Sequence, residues 1–320
     1  MEASHFAEGT VEELNKKVHL FELRPATIYF ERKGTEYYAK PVFSAPNPPF
    51  GAAINYYLKE KAGKDQPVHL FIYDLTGTKI RALTGTGEEG LNRVYWDLRG
   101  EPPFKKLPPM LKGDAARWFG TPKGPFVLPG SYKIVLEYGE QKLGKEIPVK
   151  KDKNLDYPLE EWKENIKTVL QLKDLMRKGF KMIGGIKMLD NQLQKLGKEL
   201  KENKNTPEPV MKQFNQVCEN FNQIKSVFFP KGAEKGVFRK PLKMALQGGA
   251  LTEQVFKLYM GLSNYPGKPT ATQKKRIQEI LQQLTPMFKK TTQLIGSDIP
   301  ELNRLLRENG VDFIKVPKLK

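Results

Sequence analysis

Residues 67 to 83 read PVHLFIYDLTGTKIRAL, and their apolar positions recur every second residue. That period belongs to a strand: Val68, Leu70 and Ile72 fall on one face, with His69, Phe71 and Tyr73 on the other. Asp74-Leu75-Thr76-Gly77 then supplies a turn, because an Asp side chain can bond backbone amides two residues on and glycine adopts the backbone angles a turn requires. Lys79 to Leu83 return, with Ile80 placed to pair. The stretch predicts an antiparallel β-hairpin.

The same signals extend in both directions. Downstream, SYKIVLEYGEQKLGKEIPVK (131–150) alternates at Tyr132, Ile134 and Leu136, turns at Gly139 and Glu140, and closes with Ile147 and Val149. Upstream, VFSAPNPPFGAAINYYL (42–58) places a proline-rich loop before a strand from Ala52 to Leu58. Short strands separated by turn residues predict an antiparallel sandwich of the immunoglobulin kind over residues 18–151. Residues 1–17 are expected to be a poorly ordered leading segment.

After Lys153 the period lengthens. Apolar residues recur in steps of mostly three and four from Trp162 to Leu200, predicting one helix of about 40 residues with Asp156 as its cap and Pro158 in its first turn. Gly184-Gly185 is a place for a kink. Asn203 to Asn205 should end this helix and Thr206-Pro207 start another through Phe228. FFPKGAEKGVFRKPL (228–242) reads as a connecting loop, and helical spacing resumes at Leu251 to Leu262. Thr270 to Gln273 has capping-box spacing, Pro286 should bend or break the helix that follows, and Asp298 should cap a short last helix ending at Gly310. The fold class predicted is α+β in two domains: the all-β sandwich, then an all-α antiparallel helical bundle over 152–320.

Composition narrows the functional classes. With 39% hydrophobic and 28% charged residues, the chain has the balance of a globular protein. No window approaches the roughly 18 apolar residues of a membrane-spanning helix. The start MEASHFAEGTVEELNKK has acids where a signal peptide has a basic region, so no export signal is expected. The single cysteine, Cys218, lies in a helical pattern and excludes an internal disulfide; a buried thiol is expected. His5, His19 and His69 have no second ligand at metal-like spacing, and no cofactor or metal is expected. Net charge is +18, of which +4 belongs to residues 1–150 and +14 to residues 151–320. A basic second half admits nucleic acid or another anionic polymer as partner. The basic runs, however, are lysine-rich, which fits a solvated helix face better than base readout by arginine forks.

The stretch with the residues for chemistry is GLNRVYWDLRGEPP (90–103). Trp96-Asp97-Leu98-Arg99 could hold a catalytic carboxylate, with Asp74 as the tempting partner across a glycosidic bond. The structural alternative is that both aspartates anchor loops at strand ends and that Trp96, in alternation with Val94, faces the core. There is no G-x-S-x-G, no nucleophile beside an obvious base and no phosphate-binding loop. The long loop from Gly100 to Pro129, centred on Trp118 and Phe119, is the candidate interaction surface; the alternative is that these aromatics fold back on the sandwich.

In order along the chain, FSAPNPPFGAAINYYL, VHLFIYDLTGTKIRAL, GLNRVYWDLR and LPGSYKIVLEYGEQ resemble the segment following the β-propeller in bacterial sortilin-like, BNR-repeat proteins often labelled glycosyl hydrolases. Val68 to Val149 also resembles the immunoglobulin-like domain of the flagellar hook-capping protein. LTEQVFKLYMGLSNYPGKPTATQKKRIQEILQQL and DIPELNRLLRENGV resemble the helical tail of the propeller proteins. The resemblance implies that Asp74, Gly77, Trp96, Asp97, Arg99, Pro129, Gly130 and Tyr132 are structural: the tryptophan fills the core, while Asp97 and Arg99 hold the strand end and the loop running to Pro129-Gly130. It implies no catalytic residue and an extracytoplasmic setting. The family's propeller would precede Val18, and no Asp-box is found in the chain. The expectation is a non-catalytic module working with a protein partner or a propeller, with a glycan ligand possible in principle and nucleic acid disfavoured.

Overall fold

The computed structural model describes residues 15–29, 49–108, 120–203, 206–229 and 251–317. β-Sheets occupy the part from residue 18 to 151 and helices the part from 159 to 308, the α+β arrangement expected. The chain divides into two compact units, one ending at Pro102 and resuming over Lys123–Ile166, the other made of Pro103–Pro122 and Lys167 onward. The sequence reading closes the first domain at residue 151. The first compact unit includes the first two turns of a helix, whose Trp162 is buried among the sandwich side chains.

Among the described residues eight strands form two sheets. They are β1 (Val18–Leu20), β2 (Ala26–Ile28), β3 (Ala52–Leu58), β4 (His69–Asp74), β5 (Lys79–Thr84), β6 (Gly90–Trp96), β7 (Gly130–Tyr138) and β8 (Gln141–Lys151). One sheet has the order β1-β3-β6 and the other β2-β8-β7-β4-β5. All pairs are antiparallel except β2, which runs parallel to β8 with Ala26 opposite Val149. This arrangement, three strands against a sheet containing two consecutive hairpins, is that of an immunoglobulin-like sandwich.

The period-two pattern makes the core. Ala52, Ile54, Tyr56 and Leu58 of β3 are buried at alternate positions, as are Leu70 and Ile72 of β4, Ile134 and Leu136 of β7, and Ile147 and Val149 of β8. Facing inner rows interdigitate, and apolar burial holds the sheets together. The β7–β8 turn is the two residues Gly139 and Glu140, with Tyr138 opposite Gln141. In the β4–β5 hairpin Ile72 faces Arg81 and Tyr73 faces Lys79, so Ile80, expected to pair, is the extra residue of a bulge. Its carbonyl is instead free to accept the amide of Glu101 at 3.0 Å, and the Glu101 carboxylate accepts the amide of Ala82 at 2.7 Å. The outer edge of β5 is thereby covered, which blunts an otherwise open edge.

The helices are α1 (Leu159–Glu202), α2 (Glu208–Phe228), α3 (Leu251–Ser263), α4 (Ala271–Gln293) and α5 (Ile299–Glu308), with a π-helical turn at Leu294–Asp298 between the last two. The 44-residue α1 runs uninterrupted through Gly184 and Gly185. Its apolar stripe packs with Val210, Phe214, Val217, Phe221 and Ile224 of α2 and with Leu302 and Leu306 of α5 in one core. A Cβ at Gly197 would lie 2.9 Å from the ring of Phe214, so any larger residue there would push that ring aside in the packing of α2 on α1. Lys225 of α2 also reaches both carboxylate oxygens of Asp190 on α1, at 3.0 and 2.9 Å.

Three helix-end expectations are corrected. Thr206 does not cap α2; Pro207 holds that position, and the Thr206 hydroxyl donates back to the carbonyls of Leu200 and Asn203, closing the end of α1. Pro286 does not break α4, which continues to Gln293. Pro286 and Gln282, whose carbonyl loses its amide partner, are both exposed, so water can satisfy the freed carbonyl. Asp298 is not a cap either, since its backbone is helical and the chain enters α5 without a break. Its carboxylate accepts from Asn220 at 2.9 Å on α2. The capping box of Thr270 and Gln273 is present in both directions. The loop at 230–242 lies outside the described residues, as do residues 1–14 of the leading segment.

Candidate functional site

The tryptophan-containing run ends β6 and turns a corner. Trp96 is fully buried, and its indole Nε1 donates to the carbonyl of Arg99 at 2.9 Å. Its ring meets Tyr132 edge to face, with centroids 5.4 Å apart. A ring with no exposed surface is part of the core and leaves no face for a sugar to stack on. Gly51 packs on the backbone behind it: a Cβ there would lie 2.1 Å from the Trp96 carbonyl oxygen, and φ is +120°. Only glycine satisfies both conditions.

Leu98 then takes a positive φ of 54° with its side chain buried, the only such non-glycine among the described residues. A left-handed leucine is strained, and its surroundings hold it in place. Leu98 accepts the amide of Val127 at 3.0 Å, Gly100 donates to Pro125 at 2.9 Å, and Arg99 bridges Phe126, so residues 98–100 form a short ribbon with 125–127. Arg99 is buried; its guanidinium donates to the Gly124 carbonyl at 2.9 Å and lies 3.5 Å from the centroid of Phe126. That cation–π contact and hydrogen bond supply partners for a charge that would be costly to bury alone. Arg81 donates to the carbonyl of Gly100 at 2.8 Å from the other side. Asp97 has one carboxylate oxygen, Oδ1, that is buried without a hydrogen-bond partner.

Asp74 serves its own turn. Its Oδ1 accepts from the amides of Thr76 and Thr78 at 3.0 and 2.9 Å and from the Thr76 hydroxyl at 2.6 Å. Gly77 follows with φ of 82°. The hydroxyl bond, with the two amides, holds the Asp74 carboxyl below its ordinary value. A carboxylate held ionised by its own turn is poorly suited to donate a proton as a general acid. Tyr132, two residues into β7, donates its hydroxyl to the carbonyl of Leu128 at 2.8 Å, bridging Pro129-Gly130. This is the geometry of the tyrosine corner of immunoglobulin-like domains. Burial first, and the Asp74 charge second, push the phenol up to about 12.

Trp118 and Phe119, the candidate interaction surface, lie outside the described residues. Asn92, which the sequence pattern does not single out as functional, is buried on the inner side of β6. Its amide donates to Glu88 and Gly90 at 2.7 and 3.0 Å and accepts from the Thr86 hydroxyl at 2.8 Å, so it organises the turn before the strand. The only hint was an asparagine at an apolar position of the alternation. Among the described residues no three His, Cys, Asp or Glu side chains gather to hold a metal ion. No described helix is long and apolar enough to cross a membrane.

Comparison of the chain with family models, curated proteins and solved structures found no match to any of them.

Proposed function

We propose that this chain is a non-catalytic accessory module that scaffolds or recognises a protein partner alongside a propeller of the sortilin-like, BNR-repeat kind. The observation that carries the reading is how the chemistry-bearing residues of the sandwich are used. Asp74 is bonded to its own turn, Trp96 lies in the core, Arg99 holds Gly124, Glu101 covers the edge of β5 and Tyr132 locks the start of β7. Side chains committed in this way position a scaffold. The ordered resemblance of four β segments and two helical segments to the region after such propellers supplies the partner class.

The test is to co-express the chain with a propeller-bearing protein from the same cells and weigh the purified species by light scattering. A stoichiometric complex is expected. The reading fails if the two proteins elute separately at micromolar concentration. It also fails if the purified chain turns over glycosides and Asp97→Asn abolishes that turnover.

A further inference from the structure

The helical unit contains an open cavity of about 880 Å³, within the size range of small-molecule sites. Lys178, Lys181 and Met182 of α1 form one wall. Phe288, Thr291 and Thr292 of α4, with Ile295 and Gly296 of the π-helical turn, form the second. Both threonine hydroxyls donate to their own helix, Thr291 to Met287 at 2.8 Å and Thr292 to Phe288 at 3.0 Å. That wall therefore offers a ligand mostly carbon.

The third wall is the tail after α5, at Val316 and Pro317. This segment is held by side chains of two helices. The buried Asn303 amide donates to the Ile314 carbonyl and accepts the Ile314 amide, each at 2.8 Å. Gln192 of α1 does the same one residue on, donating to the Lys315 carbonyl at 3.1 Å and accepting its amide at 2.7 Å. Four side-chain hydrogen bonds thus fix the extended tail against α1 and α5, and the groove is formed before any ligand arrives. A preformed site avoids the ordering cost of binding. The π-turn adds a second irregularity, a feature frequent at functional sites.

We infer that this groove binds an anionic single-chain amphiphile, a long-chain carboxylate, with its tail along the apolar walls and its head at Lys178 and Lys181. The two lysines are three residues apart and so neighbour each other on one face of α1. Lys178 holds Asp174 at 2.7 Å, but both side chains are more than half exposed, so the pair is weak and exchangeable. The basic excess of the second half of the chain, +14 over residues 151–320, favours an anionic head over a cationic one. The inference does not depend on the propeller partner.

The test titrates the full chain with the sodium salts of decanoate, laurate and myristate, each below its micellar concentration, by calorimetry. Saturable one-to-one binding should tighten about fourfold per added methylene. A Cβ at Gly296 meets no atom within 4 Å, so Gly296→Phe can direct a ring into the groove and should abolish binding while melting temperature stays unchanged. Lys178→Gln with Lys181→Gln should weaken laurate about fivefold or more and leave dodecanol unaffected. The inference is overturned if no carboxylate binds saturably, if dodecyltrimethylammonium binds as tightly as laurate, or if a folded Gly296→Phe variant binds unchanged.

Discussion

The rings of Trp96 and Tyr132 meet edge to face at 5.4 Å, one from the last strand of the three-stranded sheet and one from the centre of the five-stranded sheet. The tryptophan fixes the corner after β6 through its indole, and the tyrosine fixes the start of β7 through its hydroxyl. One aromatic contact therefore joins the two sheets and the two loops. Trp96→Ala should destabilise the sandwich by about 4 kcal/mol, the usual scale for deleting a buried large aromatic. Urea unfolding followed by circular dichroism would measure it.

Tyr132→Phe keeps the ring contact and removes the bond to Leu128, so a loss of about 1 kcal/mol is expected. The folded phenol titrates at about 12 against 10.0 ordinarily. A pKa raised in the folded state adds stability below the unfolded value that disappears as pH climbs through the folded one. Wild-type stability should therefore fall between about pH 10 and 12, and the phenylalanine variant should show less of that fall. Ultraviolet titration of phenolate in both proteins tests this directly.

Asp74→Ala removes the acceptor for two turn amides and should cost about 1 kcal/mol. The carboxyl is held below its ordinary value, so its contribution is present above the unfolded pKa and lost as pH falls through the folded one. The stability gap between wild type and variant should be full at neutral pH and narrow in acid below about pH 4. A gap independent of pH would rule out the carboxylate as its source.

Asn303→Leu leaves the Ile314 amide and carbonyl without their partner. Amide hydrogen exchange at Ile314 should speed up by at least about tenfold as the tail frays, while exchange in the α2 core is unchanged. Protection retained at Ile314 would show that packing alone holds the tail.

Cys218 is half-buried and burial pushes its thiol up, which lowers the thiolate fraction at neutral pH. Reaction with a thiol-specific disulfide reagent should be slow in the native protein and fast in denaturant. Equal rates in both states would contradict the packing of α2.

Most of the architecture was legible from local chemistry. Alternation at Val68, Leu70 and Ile72 and at Tyr132, Ile134 and Leu136 marks two hairpins, because a strand's side chains alternate whatever packs against them. Spacing of three and four from Trp162 to Leu200 marks α1 for the same kind of reason. Helix ends were less legible. Thr206, Pro286 and Asp298 carry the usual start and stop residues, yet their final partners lie on neighbouring turns and helices that spacing does not identify.

The sequence by itself determined the order and class of the longer elements and which face of each is apolar, since these follow from periods of two and 3.6 residues along the backbone, whereas the short strands β1 and β2 and the π-helical turn carry too few residues to show a period. Local pattern also placed Asp74 in its turn and Thr270 with Gln273 in a capping box, but tertiary structure decided what most other polar residues do. The left-handed Leu98, the burial of Arg99 over Phe126, the Tyr132 corner and the Asn303 and Gln192 clamps are pairings between residues that local pattern does not connect. Gln192 and Lys315, for example, are 123 positions apart. A hydrogen bond depends on distance and direction in space, and only the packed chain sets those.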